Sequence, residues 1–306
     1  MAVRSLARWW RAQRLMKEQD MAEAPGGPTV LRILLGTQLR RLREARGVTA
    51  HEAAVAIRGS ESKISRIELG RNAVREVDIA DLLKLYGVTD RTEREQILSL
   101  AARANQPGWW HNYQDVLPSW FQAYVGLEEA AESIRSYDIQ FVPGLLQTEA
   151  YANCVLALGE FSPEETERLV FLRKERQKRF ASGSLRLTAI IDEMALRRTV
   201  GGAGVMRGQF EHLLSLVDRP GFNLQVTPFP VGANVTPASF SILQFATPDL
   251  PDVVYVEQLT SALYLDKAPE VARYAAAMDR LSQLSATPNE SARIVQSMLG
   301  NLEGSR

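Results

Sequence analysis

Apolar residues recur at helical spacing from the thirties onward. Leu31, Leu34, Leu35, Leu39 and Leu42 lie on one side of a predicted helix, Arg40, Arg41, Arg43 and Arg46 surround the rest, and Gly47 stops it. From Val48 to Gly70 two shorter helical segments are separated by a break at Arg58-Gly59, and Ser60 is placed to cap the second through its hydroxyl. In that second segment Ile64 and Ile67 are three apart and face inward, leaving Glu61, Ser62, Lys63 and Arg66 outward near the helix start. A fourth helix is expected from about Val77 to Tyr86, before Gly87. A fifth is expected from Thr92, read as an N-cap with Glu95 completing a capping box, to about Ala104.

The pattern breaks at Asn105-Gln106-Pro107-Gly108, and a domain boundary is expected there. Trp109, Trp110, Tyr113, Trp120 and Phe121 follow in a short span. Such density fills a core or an interface more often than it stacks on bases. Beyond it the periodicity predicts helices over Leu127 to Ile139, Thr148 to Leu158, and from Ser162-Pro163-Glu164-Glu165 to Phe180, the last with a cap, an early proline and acids at its positive end. Alternation predicts strands over Leu185 to Ile191, Phe222 to Thr227, Phe240 to Phe245 and Val253 to Glu257. Helices are expected over Val205 to Leu216, 269–284 and 289–301. The fold class expected is a mainly α, five-helix domain over 30–105 followed by an α+β domain over 106–302, a small sheet covered by helices. Residues 1–29, Arg-rich with Trp9-Trp10 and then a second methionine at Met21 and a Pro/Gly linker, are expected to be a disordered or spurious extension.

Composition is that of an ordinary globular protein, with zero net charge. The charge is uneven: residues 1–105 carry 19 Lys+Arg against 13 Asp+Glu, so the remainder is acidic by the same margin. A basic first third joined to an acidic remainder suits a DNA-binding module attached to something that does not touch DNA. Cys154 is the only cysteine, which excludes an intramolecular disulfide and a thiolate-rich metal site. No metal and no cofactor is expected. Neither a spanning segment nor the apolar stretch of a signal peptide is present, so the expectation is a cytoplasmic protein without a membrane partner.

The stretch Val48 to Gly70 resembles the helix-turn-helix of phage-repressor-type regulators, the xenobiotic-response-element family. The resemblance is carried by small Ala54 in the first helix, the Ile64/Ile67 spacing, and the run Ser65-Arg66-Ile67-Glu68-Leu69-Gly70. It implies a pairing of Glu68 with Arg43. Arg58 stands where the family usually has Gly, so Gly59 is expected to supply the left-handed residue of the turn; Ala50 stands where Gln is common. The outward residues then take roles on double-stranded DNA: Glu61, Ser62 and Arg66 toward base edges, and Thr49, Ser60, Lys63 and Arg71 toward phosphates. Arg43, Ala54, Ile64, Ile67 and Glu68 hold the module together. The plainer alternative is a helical hairpin packed in a core.

The second half resembles the C-terminal domain of unknown function found behind this helix-turn-helix in many actinobacterial regulators, some described as antitoxin-like. The matching residues include Trp120-Phe121, Val142-Pro143-Gly144-Leu145-Leu146-Gln147-Thr148-Glu149, Arg173, Arg176-Gln177, Asp192-Glu193, Thr227-Pro228-Phe229 and Val254-Tyr255-Val256-Glu257. The function expected is a dimeric, sequence-specific transcriptional regulator whose C-terminal domain binds a partner protein or small effector. The alternatives are an antitoxin-like protein that sequesters its partner and an enzyme tethered to DNA. For the last, Asp192, Glu193 and Glu257 are candidates, but no His or Cys joins them, and Asp192-Glu193 reads more simply as a helix cap with Glu193 paired to Arg197; no catalytic residue is expected. Gly201-Gly202-Ala203-Gly204 lacks the lysine and spacing of a nucleotide loop. The Arg173–Arg179 cluster reads most simply as a solvated face, with a phosphate or acidic-ligand site as the alternative.

Overall fold

A computed structural model describes residues 30–303 apart from 71–72, 107, 160, 230–235, 237, 247–250 and 259–260. The expectations for residues 1–29 and for Arg71 lie outside the described residues. Two compact units divide the chain at Ala130-Ala131. The composition break at 105–108, where a boundary was expected, therefore falls inside the first unit.

That unit holds the five expected helices: α1 (Val30–Ala45), α2 (Ala50–Ala56), α3 (Glu61–Glu68), α4 (Glu76–Leu85) and α5 (Arg91–Ala104). One core joins them, built on Leu35, Leu39, Ala53, Ala54, Ile57, Ile64, Ile67, Ile79, Leu82, Leu83 and Ile97. The arginines of α1 are not all on its solvent side. Arg32 is buried, and its Nε donates to the carbonyl of Ala104 at 2.9 Å, tying α1 to the end of α5. The cap of α5 is Asp90 rather than Thr92: the helix begins at Arg91, and the Asp90 carboxylate accepts from the Glu93 N–H at 2.7 Å. A 3₁₀ turn (Trp109–Tyr113) and α6 (Ser119–Ala130), which packs on α1, complete the unit. Trp110 is buried, and half-buried Trp109 lies edge-on to it and donates to Glu129.

The second unit is a six-stranded mixed sheet in the order β3-β2-β1-β4-β5-β6, with β1 (Ser133–Asp138), β2 (Arg186–Asp192), β3 (Phe222–Thr227), β4 (Phe240–Gln244), β5 (Val253–Glu257) and β6 (Ala262–Leu265). Strands β1, β2 and β3 are parallel, with α7 (Glu149–Leu156), α8 (Pro163–Ser182), α9 (Glu193–Arg197) and α10 (Ala203–Leu216) in the crossovers. The chain closes with α11 (Ala268–Leu284) and α12 (Pro288–Glu303). Helix α11 covers one sheet face, where Met278 and Leu281 meet Tyr137, Ile190, Phe240, Ile242, Val254 and Val256.

One predicted helix is a strand. Leu127 to Ile139 was expected to be helical, yet the helix ends at Ala130 and β1 follows. Ala131, Ile134 and Tyr137 recur every three residues and imitate a helical stripe. In fact β1 is central and buried on both faces, so Ile134 and Tyr137 point in opposite directions. The short strand β6 was not anticipated.

Candidate nucleic-acid interface

The sequence Thr49-Ala50-His51-Glu52 builds a full capping box at the start of α2. The Thr49 hydroxyl accepts from the Glu52 N–H at 3.2 Å, while Glu52 Oε2 accepts from the Thr49 N–H at 2.7 Å. Ser60 caps α3 by accepting from the Lys63 N–H at 3.2 Å, as expected. Between them Arg58, not Gly59, takes the left-handed conformation, with φ of 51°. The turn geometry that the resemblance associates with glycine is therefore met by arginine, at a backbone cost of about 1 kcal/mol or more.

Arg43 and Glu68 lock α1 to the end of α3. Arg43 Nε and Nη2 donate to the two carboxylate oxygens of Glu68 at 2.6 and 3.0 Å, and Nη1 donates to the Val48 carbonyl at 2.9 Å. A two-point guanidinium–carboxylate contact fixes orientation as well as distance. Ala54, Ile64 and Ile67 are buried beneath it. Two glycines, Gly36, unremarked in the sequence, and Gly70, the end of the resembling run, let the helices close: a Cβ on Gly36 would stand 2.4 Å from the Ile67 carbonyl oxygen, and one on Gly70, whose φ is +65°, would stand 2.6 Å from the Ile33 nitrogen. An isolated glycine inside a helical pattern was the available signal for Gly36.

The outward face of α3 presents Glu61, Ser62 and Arg66, all exposed. The Glu61 carboxylate lies 3.1 Å from His51 Nδ1 on α2. Lys63, expected to contact phosphate, is engaged within the protein in the absence of DNA. Its Nζ donates to Asp78 Oδ2 at 2.9 Å, and Arg75 donates to both oxygens of the same buried carboxylate. Burial alone would raise the Asp78 carboxyl; the hydrogen bonds from Arg75 and Lys63 outweigh it and hold the group below the ordinary carboxylate range. Lys63 thus ties α3 to α4. Thr49 and Ser60 spend their hydroxyls on helix caps.

Residues 34–97 match the model of a helix-turn-helix domain, and residues 121–297, more than half of the chain, match a domain of unknown function (DUF5753). The chain belongs to the DUF5753 family. No curated protein and no solved structure matches it. The helix-turn-helix in front of the DUF5753 region makes the protein a DNA-binding regulator, with α3 in the position of the recognition helix. Among the described residues no helix is long and apolar enough to cross a membrane.

Within the DUF5753 region each acid considered for chemistry has defined hydrogen-bond partners. Asp192 caps α9 by accepting from the Met194 N–H at 2.9 Å and accepts from the Tyr137 hydroxyl at 3.1 Å. Glu193 pairs with Arg197 and accepts from the Phe229 N–H at 2.9 Å. Glu257 is separate from both and accepts from the Tyr255 hydroxyl at 3.0 Å. No cluster of candidate metal-ligating side chains occurs among the described residues.

Proposed function

We propose that this protein is a homodimeric, sequence-specific transcriptional regulator of the xenobiotic-response-element kind, acting in the cytoplasm, whose second unit binds a regulatory partner or effector and does not catalyse a reaction. The observation that carries the DNA-reading part is the recognition helix itself. Its inner side is fixed by Ile64, Ile67 and the Arg43–Glu68 contact, while Glu61, Ser62 and Arg66 remain on the outer side near its N-terminus. That is the geometry in which side chains at a helix start reach base edges in the major groove. A dimer fits because such modules read paired half-sites. Asp192 and Glu193, engaged as a helix cap and an ion pair, favour a structural over a catalytic role for these two acids.

The test is footprinting of the full chain across genomic DNA, followed by titration of the strongest site with parent and Arg66→Ala protein. Loss of a base contact is expected to cost about 1–3 kcal/mol and to relax preference at one base pair. Parent-like affinity and sequence preference in Arg66→Ala would remove α3 as the reading helix. A footprint spanning a single half-site would remove the dimer.

A further inference from the structure

Sheet topology gathers a second set of polar residues at one place. Strand β4 is antiparallel to β1, and β5 is antiparallel to β4, so β5 runs in the direction of β1, β2 and β3. Asp138 and Glu257 therefore lie at the same edge of the sheet, the carboxyl ends of their strands. Open sheets of this kind bind ligands outside that edge. Alternation along the strands puts Ser136, Asp138, Tyr255 and Glu257 on the face opposite α11.

Helix α8 brings two cations to this region. Arg173 and Arg176 are the inner members of the cluster expected to be a solvated face; Lys174 and Lys178 are the exposed ones. A Cβ on Gly144, in the turn after β1, would lie 3.7 Å from Arg176 Nη1 and 3.8 Å from Arg173 Nε, so both guanidinium groups converge on that turn. Gln147 accepts from Arg173, and Gln177 donates to the carbonyls of Gly144 and Gln147 at 2.9 Å each, which fixes the turn.

What sets the place apart is unmet hydrogen bonding. Arg173 Nε, Asp138 Oδ2 and Ser136 Oγ are buried atoms that meet no partner in good hydrogen-bond geometry among the described residues, although the Ser136 hydroxyl is near enough to the Asp138 carboxyl to favour its charged form. Folded proteins leave few such atoms, and several together on one side of one sheet mark a surface completed by something else. Burial, opposed by the Ser136 hydroxyl and joined by the like charge of Glu257, pushes the Asp138 carboxyl up to about 7; burial, with the neighbouring Arg176 charge, brings Arg173 down to about 10. Glu257 keeps open surface, yet the protein around it still raises its carboxyl, against the Tyr255 hydroxyl and both arginine charges.

We infer that the carboxyl edge of this sheet is a binding site for a small organic oxyanion. Arg173 holds its carboxylate or phosphate, with the charge of neighbouring Arg176 adding to the attraction, and Asp138 and Ser136 bond a hydroxyl on the same molecule. The inference deepens the effector reading of the second unit and rests on it only for its regulatory consequence. A bare inorganic anion satisfies Arg173 alone, whereas a hydroxy acid or a phosphate ester of a polyol satisfies both halves.

The test is calorimetric titration of the full chain with malate, glycerol 3-phosphate and inorganic phosphate, repeated on Arg173→Gln and Asp138→Asn proteins, with circular dichroism to verify the fold. Saturable binding of malate or glycerol 3-phosphate is expected, weakened about tenfold or more by Arg173→Gln. Asp138→Asn, nearly isosteric, is expected to weaken the hydroxyl-bearing ligand more than inorganic phosphate; it serves as the deciding variant if Arg173→Gln does not fold. The carboxylate and phosphate arms show which oxyanion the arginines prefer. No saturable binding below about 10 mM for any probe, or binding indifferent to the substitutions, overturns the site. Binding that responds to them but leaves operator affinity unchanged keeps the site and overturns the effector reading instead.

Discussion

Replacing Gly36 by alanine tests whether backbone contact between α1 and α3 sets the geometry of the DNA-reading module. By propensity alone the change should help, since glycine within a helix costs up to about 1 kcal/mol relative to alanine. The structure opposes this. The new Cβ would sit 2.4 Å from the Ile67 carbonyl oxygen and 2.6 Å from that of Glu68, where ordinary contact begins at 3.4 Å. Both obstacles are backbone, so no rotamer change relieves them, and the helices must separate by about 1 Å, enough to forfeit a quarter to a half of each contact they share. Leu35, Leu39, Ile64 and Ile67 lie in the core between them, and the Arg43–Glu68 contact spans the same two helices. Overpacking of this kind costs about 1–3 kcal/mol, and the strained ion pair adds to it, so a net loss of about 2 kcal/mol is expected after the propensity gain. For a unit of this size that is a fall in melting temperature of about 10 °C. Trp109, Trp110 and Trp120, the tryptophans among the described residues, all belong to the first unit, so tryptophan fluorescence follows its unfolding once Trp9 and Trp10 are replaced by phenylalanine in parent and variant alike. Gly208→Ala is the control. It lies inside α10 with nothing within 4 Å of its Cβ position, and a gain of about 0.5–1 kcal/mol is expected by circular dichroism. A Gly36→Ala protein as stable as its parent, with unchanged operator affinity, would refute the close approach.

Three further outcomes follow from the same geometry. Lys63→Ala should lower the stability of the first unit by about 1–3 kcal/mol, because it removes a partner from buried Asp78, and should leave the salt dependence of DNA binding near that of the parent; a flattened salt slope with parental stability would return Lys63 to the phosphate backbone. Arg58→Gly should stabilise the same unit by up to about 1 kcal/mol in urea unfolding, since glycine takes a positive φ without strain; a loss would mean that the Arg58 side chain contributes more than its backbone costs. For Asp138 the folded-state carboxyl is raised from 3.8 to about 7, so the stability it contributes is full below pH 3.8 and is lost as pH rises through 7. The loss is of the order of 4 kcal/mol. Asp138→Asn should flatten that slope in pH-dependent unfolding of the second unit, and an unchanged slope would place the titration elsewhere.

The pattern of the chain specified the first unit closely. Helices of one apolar stripe each, ended by Gly47, the Arg58-Gly59 break and Gly87, carry their period in the sequence because only one side of each is buried. Ser60 capping and the inward pair Ile64/Ile67 are local properties and were legible for that reason, and the resemblance supplied Arg43 with Glu68. Strands β2 to β5 could likewise be read from alternation and flanking turns. What the sequence lacked was partner identity. The commitment of Lys63 to Asp78, the passage of the left-handed conformation to Arg58 and the need for Gly36 all depend on which elements meet in space. Strand β1 was hidden by its own burial: a strand covered on both faces loses its period of two, and Ile134 and Tyr137 then look like neighbours on a helix. The convergence of Asp138, Glu257, Arg173 and Arg176 is a matter of topology alone. These residues come from two strands and a crossover helix, up to 119 positions apart, and two antiparallel steps in the sheet bring Asp138 and Glu257 to one edge.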